Sequence, residues 1–189
     1  MDIEIRYIGE AFSTYIVVEK DDSIFLIDKH AAHERIIYND MKDKRVVETQ
    51  VLLSAVTVKL GSDEYSAVLD NIPLFEEVGF EVEDFGNSTV IVRAVPATLV
   101  CDDVFSVVTE AASSLCERGS LEIEKLDRLY HTVACKAAVK AGNKSASQEL
   151  IVLAKRVLSD REVMYCPHGR PVAFEIKKRD LEKQFGRIQ

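Results

Sequence analysis

Three apolar runs crowd into the first 28 residues, and their spacing limits what the chain can fold into. Residues 3–9 (IEIRYIG), 12–19 (FSTYIVVE) and 23–28 (SIFLID) read as strands, the last two joined in a hairpin around Lys20-Asp21-Asp22. Their apolar content is too continuous for a sheet with one wet face, so helices or another subunit should cover both sides. A helix is expected from His30 to about Met41, with Asp28 as its N-cap.

A strand rich in β-branched residues follows over 50–60, then a helix over 62–77 that Pro73 kinks or splits, because proline cannot donate to the helix ladder. Strands at 80–85 and 89–95 flank a Gly86-Asn87 turn. After Pro96 the pattern turns helical, over 102–118, 123–141 and 147–158, the last with Ser145 as its cap. A loop at 164–171, a short strand at 172–176 and a turn of helix at 180–184 complete the order. The result is an α+β chain with unusual polar clusters at both ends and none between. The simplest layout is two lobes. Residues 1–47 and 121–189 build one lobe, and 48–120 are inserted as a second.

At 189 residues the chain can bury one substantial core or two small ones. A formal charge of -8 argues against a broad electrostatic footprint for nucleic acid, so any DNA contact must be local, metal-mediated or delegated. The N-terminus carries acidic residues and no apolar signal region, and no apolar stretch is long enough to span a bilayer. A cytoplasmic protein without membrane contact is expected, and Met1 is compatible with a domain of a longer protein. Cys101, Cys116, Cys135 and Cys166 form no CxxC pair and are expected as free thiols or metal ligands.

The run Asp28-Lys29-His30-Ala31-Ala32-His33-Glu34-Arg35 lies where the third strand meets the helix. It holds two of the four histidines in the chain. His30 and Glu34 are four apart and share a helix face, a pair that suits zinc, manganese or iron. The same spacing also describes an exposed helix start capped by Asp28. Cys166 and His168 flank Pro167, whose ring restricts the backbone so that both side chains stand in a defined relation, as a zinc loop requires. Cys135, alone, reads as a packed thiol, and His131 one turn earlier makes a rival pair with it. Cys101 and Cys116 read as ordinary buried thiols.

Four stretches together resemble one family. Residues 28–39, DKHAAHERIIYN, are similar to the DQHAxxExxxxE endonuclease motif in the C-terminal domain of MutL DNA mismatch repair proteins. Ala134-Cys135-Lys136 is similar to that domain's ACR-type motif, residues 166–171 to CPHGRP, and Phe185-Gly186-Arg187 to its terminal FxR. The resemblance implies a homodimerisation lobe with an inserted regulatory lobe and metal-dependent nicking of double-stranded DNA. It makes His30, Glu34, Cys135, Cys166 and His168 metal ligands and Asp28 a catalytic carboxylate alongside Glu34, and it favours Cys135 over His131.

On this reading zinc organises the site and a more exchangeable ion such as manganese serves catalysis, while Lys29, Lys136, Arg170 and Arg187 are candidates for steering phosphate. Two positions depart from the motif: Lys29 replaces the usual Gln, and Asn39, followed by Asp40, replaces its last acidic residue. Gln50 and Leu53 match a sliding-clamp-binding pattern QxxLxP whose proline is Ala55 here. The family also implies an ATPase domain and a mismatch-recognition protein as partners. The alternative is a non-catalytic dimerisation and partner-binding module with structural zinc.

Overall fold

The computed structural model describes residues 3–43, 47–99, 103–116, 121–141, 146–166 and 169–188. It is α+β, and its described residues form two antiparallel sheets and seven α-helices. The elements are β1 (Arg6–Ala11), β2 (Tyr15–Lys20), β3 (Ser23–Asp28), α1 (Lys29–Asp43), β4 (Thr49–Lys59), α2 (Ser62–Asp70), α3 (Ile72–Glu77), β5 (Glu81–Gly86) and β6 (Thr89–Pro96). They continue with α4 (Val104–Leu115), α5 (Glu122–Ala141), α6 (Ser147–Ser159), a 3-10 turn (Arg161–Met164), β7 (Ala173–Lys177) and α7 (Lys178–Gln184). No helix among the described residues is long and apolar enough to cross a membrane.

The chain divides into two compact units, Met1–Ile36 with Ala141–Gln189, and Ile37–Lys140. In the first, the sheet order is β1-β2-β3-β7, so the last strand of the chain pairs with the third, from Ser23 opposite Lys177 to Ile27 opposite Ala173. One face of this sheet carries Ile16, Val18 and Ile27, all fully buried, against Leu150, Leu153 and Val157 of α6. That burial sets the register, because a slip of one residue would turn every one of these side chains to the opposite face. The other face pairs Val17 with Leu26, Leu26 with Phe174 and Ile24 with Ile176. It is apolar yet only half covered, with Phe174 64% exposed.

The first two strands each start three residues later than the pattern of apolar residues suggests, while β3 falls where it is expected. The displacement comes from a tight turn at Phe12-Ser13, closed by the Thr14 N–H donating to the Ala11 carbonyl at 3.1 Å. Both central residues take positive φ, 56° and 52°. Such turns match strand twist but normally use Asn or Gly, so nothing in the sequence announces this one. An L-residue there costs about 1–2 kcal/mol. Ser13→Gly is therefore expected to stabilise the protein by about 0.5–1 kcal/mol, partly offset by the greater freedom of glycine when unfolded. A thermal melt should rise by about 1–4 °C, and a fall would show that the serine contributes more than its backbone strain.

In the second unit the sheet order is β4-β6-β5. Phe75, Val58, Val90 and Val92 are fully buried at its centre, with Val104, Val107 and Val108 of α4 and Leu129 and Val133 of α5 in the same core. Pro73 does split the expected long helix: α2 ends at Asp70 and α3 restarts with the proline in its first turn, where no N–H is missed. The β5–β6 hairpin turns on Asn87 and Ser88, both at positive φ, one residue later than the Gly86-Asn87 pair. The cap expected at Ser145 lies outside the described residues. Glu149 instead closes the start of α6, its carboxylate accepting from the Ala146 N–H at 3.2 Å.

Candidate metal centre

The β3–α1 junction is built as its sequence requires. The Asp28 N–H donates to the Val172 carbonyl at 2.8 Å, which ties the end of β3 to the chain just before β7. The Ala31 N–H donates to Asp28 Oδ1 at 2.9 Å, the bond of an N-cap aspartate. One carboxylate oxygen thus holds the helix start. His30 is half-buried and Glu34 is buried at 5% exposure, one turn further along the same face of α1. A carboxylate so removed from water needs compensation by hydrogen bonds, a cation or a metal.

Lys29 is almost wholly buried, and its ammonium lies 2.6 Å from Glu10 Oε1 on β1. Its charge is already compensated inside the protein. The lysine that replaces the motif's usual glutamine therefore joins α1 to β1. His33 lines a cavity of about 390 Å3 with Ile36, Glu149, Val152, Leu153 and Arg156. Burial, with Lys29 and His30 nearby, lowers its pKa, and its Nδ1 is buried without a hydrogen-bond partner. Asn39 has its amide Nδ2 in the same condition.

Cys166 is buried at 5% exposure in a tight return of the chain. Its N–H donates to the Arg170 carbonyl at 2.8 Å, its carbonyl accepts from the Gly169 N–H at 2.8 Å, and its Sγ accepts from the Arg170 N–H at 3.3 Å. Gly169 makes the return possible at φ +78°. A backbone N–H directed at sulfur fixes its position and is the kind of outer bond that supports a metal-ligating thiolate. Pro167 and His168 lie outside the described residues. Arg170 and Arg187 are exposed.

In the second unit Cys135 is half-buried on α5, between the buried Ala134 and Ala138. Lys136 pairs with Glu110 of α4 at 2.9 Å, and that hydrogen bond raises its pKa. Cys116 is half-buried rather than enclosed, and its thiol donates to the Ala112 carbonyl at 3.3 Å. Cys101 lies outside the described residues. Gln50 Nε2 donates to the Leu99 carbonyl at 2.6 Å. Leu53 is fully exposed, at a break in the β4–β6 register between Val51 and Val56 where β4 carries extra residues.

His131, the rival to Cys135 as a functional residue, belongs to a network that spacing did not reveal. Tyr38 OH donates to Asp127 Oδ1 at 2.5 Å, and Lys42 Nζ donates to both at 2.9 Å. His131 Nε2 is 3.6 Å from Asp127 Oδ2, and its ring lies 4.6 Å from that of Tyr38. Burial and the bond to Asp127 raise the Tyr38 pKa, and bonds to Tyr38 and Asp127 raise that of Lys42. Burial opposes ionisation of Asp127, but hydrogen bonds from Tyr38 and Lys42 outweigh it and lower its pKa.

A depressed carboxyl contributes stability above its unfolded pKa, and that contribution is lost as pH falls through the folded value. The raised Tyr38 and Lys42 contribute below their unfolded values near about 10 and lose that contribution as pH rises through their folded values. Tyr38→Phe should cost about 1 kcal/mol at neutral pH, and less once Asp127 is protonated. Urea unfolding of both proteins at neutral and acid pH measures the difference, and an equal cost at both would remove Asp127 from the account.

Among the described residues no three His, Cys, Asp or Glu side chains form a group that could hold a metal ion. The donors nonetheless fit a metal chemically: a buried Glu34, the half-buried His30 one turn away and a Cys166 sulfur held by a backbone N–H.

The family described as the MutL C terminal dimerisation domain matches residues 8–145. The chain is 36% identical, over 99% of its length, to the DNA mismatch repair protein MutL of Clostridium botulinum strain Loch Maree, covering 29% of that protein. It is 35% identical to the MutL of Clostridium tetani and 34% identical to that of Syntrophus aciditrophicus, over 98% and 97% of its length and 31% of each relative. It therefore spans about three tenths of the relatives it matches. With the family matching well over half of its residues, the chain belongs to the MutL C-terminal dimerisation domain family.

Proposed function

We propose that this chain is the dimerising and DNA-nicking portion of a MutL mismatch repair protein. The observation that carries the reading is the presence, within one unit, of a capped Asp28, a buried Glu34 and a Cys166 sulfur held by a backbone N–H. The ligand set of this reading, His30, Glu34, Cys135, Cys166 and His168, is the one the family resemblance implies. A bound zinc organises the site, and a harder ion such as manganese supplies charge neutralisation at the phosphate and lowers the pKa of attacking water. Asp28 places a carboxyl group at the helix start, Glu34 places a second in a desolvated position, and Arg170 and Arg187 present exposed cations to phosphate. Lys136 joins them only by exchanging its bond to Glu110. Lys29 acts through position, by fixing α1 against β1.

The unit Ile37–Lys140 is read as the inserted regulatory lobe, and the other as the dimerisation lobe. The half-covered sheet face of Val17, Leu26 and Phe174 is where a second copy packs, because an apolar face of this kind is buried by association. Leu53 is the exposed residue available to a sliding clamp, while Gln50 is engaged internally. The ATPase domain and the mismatch-recognition protein deliver the DNA, which suits a chain of net charge -8. Nicking of supercoiled plasmid in manganese, with and without the clamp, tests the proposal.

The second reading is a non-catalytic dimerisation module with structural zinc, favoured by the amide of Asn39 where the motif ends in an acid. No nicking under any of these conditions, with dimer and zinc intact, would establish it.

A further inference from the structure

The Phe12 side chain is 89% exposed at the tip of the β1–β2 turn. It stands there on a strained backbone, at φ 56°, a conformation that bulky side chains rarely adopt. The tip is also held firmly. Thr14 Oγ1 donates to the Phe12 carbonyl at 2.9 Å, and the Thr14 carbonyl accepts from the Lys29 N–H at 3.0 Å. Behind it the buried Lys29 ammonium pairs with Glu10 at 2.6 Å, and Tyr15 lies opposite Asp28 in the β2–β3 ladder. The backbone that carries the ring is thus tied to the first residue of α1, next in sequence to Asp28 and His30. It lies beyond the strand ends, so it is not part of the apolar sheet face of Val17, Leu26 and Phe174.

We propose that Phe12 is a base-stacking contact to duplex DNA beside the candidate nicking site. The inference rests on the reading of Asp28 and its neighbours as a DNA-cutting centre and adds the residue that grips the bases. A chain of net charge -8 gains little from phosphate attraction, whereas an aromatic ring holds a base through its π-face without needing positive charge. Apolar side chains that enter the base stack also unstack a step and bend the duplex, which exposes the backbone next to them. A solvent-facing ring on a turn tied to α1 is suited to that task, because little loop entropy remains to be lost on binding.

The chain contains no tryptophan, so Phe12→Trp places a single tryptophan at the tip, excited apart from the six tyrosines at the red edge of the absorption band. Its emission is expected to fall as a duplex of about 30 base pairs is added, through stacking on a base. Phe12→Asn removes the ring but keeps a residue that tolerates the left-handed conformation, so the fold survives. Its duplex affinity should be about tenfold weaker, by the same factor at about 50 and about 200 mM salt, unlike the loss of a phosphate contact. The proposal is overturned if the emission of the Phe12→Trp protein is unchanged while anisotropy shows duplex bound, or if no duplex binds at all. It is equally overturned if Phe12→Asn loosens the dimer and leaves DNA affinity alone, which would assign the ring to a second copy of the chain. Quenching without manganese-dependent nicking keeps the stacking contact and removes the nuclease reading, whereas nicking by the Phe12→Trp protein with unquenched emission removes the stacking contact alone.

Discussion

Asp28→Asn is expected to lower manganese-dependent plasmid nicking by about 100-fold or more while leaving the fold and the dimer intact. The two side chains have nearly the same shape, and asparagine is as good an N-cap as aspartate. Its amide oxygen can still accept the Ala31 N–H that Asp28 Oδ1 accepts at 2.9 Å, so α1 starts in the same place. What disappears is one negative charge at the β3–α1 junction, which on the proposed function a second divalent ion or an attacking water would need there. The measurement compares initial nicking rates of the two proteins at equal zinc content, with melting temperature as the structural control. Equal rates would remove Asp28 from the chemistry and leave it as a cap only.

Leu26→Asp is expected to convert the dimer to monomer at micromolar concentration, raising the dissociation constant by about 1,000-fold or more. Leu26 lies between Val17 and Phe174 on the half-covered face of the first sheet, opposite the face that carries the buried Ile16, Val18 and Ile27. A carboxylate there is tolerated in the monomer, where water reaches the face, but must be desolvated on association. A two-fold interface meets the substitution twice, once from each copy, which doubles the penalty. Light scattering of the eluted species gives the mass directly. A persistent dimer would move the interface to another surface, and an unfolded monomer would show that Leu26 belongs to the core of its own chain.

Much of the local structure was legible because its causes are local. Asp28 caps α1 as its place before an apolar-periodic run requires, and Pro73 splits a helix because it lacks an N–H. Of the candidate site residues, His30 and Glu34 share one face of α1, and Cys166 lies in a return closed by Gly169, placements that follow from helix pitch and from the freedom of glycine. Two local features escaped. The turn at Phe12-Ser13 has positive φ on residues that seldom adopt it, and the break in β4 near Leu53 has no glycine or proline to mark it.

What lies between distant segments was not legible, since composition and period carry no information about pairing across more than a hundred residues. Ser23 opposite Lys177, and Tyr38 bonded to Asp127, are such cases. Lys29 is the most instructive. As a residue type it offers a cation to phosphate, but only the folded chain brings Glu10 to 2.6 Å from it and makes it an internal tie. The order of strands and helices, the capped start of α1 and the identity of the family's motifs were thus determined by the sequence alone, because each depends on neighbours within a turn or two or on residues read in order. The register in which β3 and β7 join the two chain ends in one sheet, the half-covered apolar face and the fate of each charge were decided by tertiary structure, because strand pairing, burial and electrostatic pairing depend on what packs alongside.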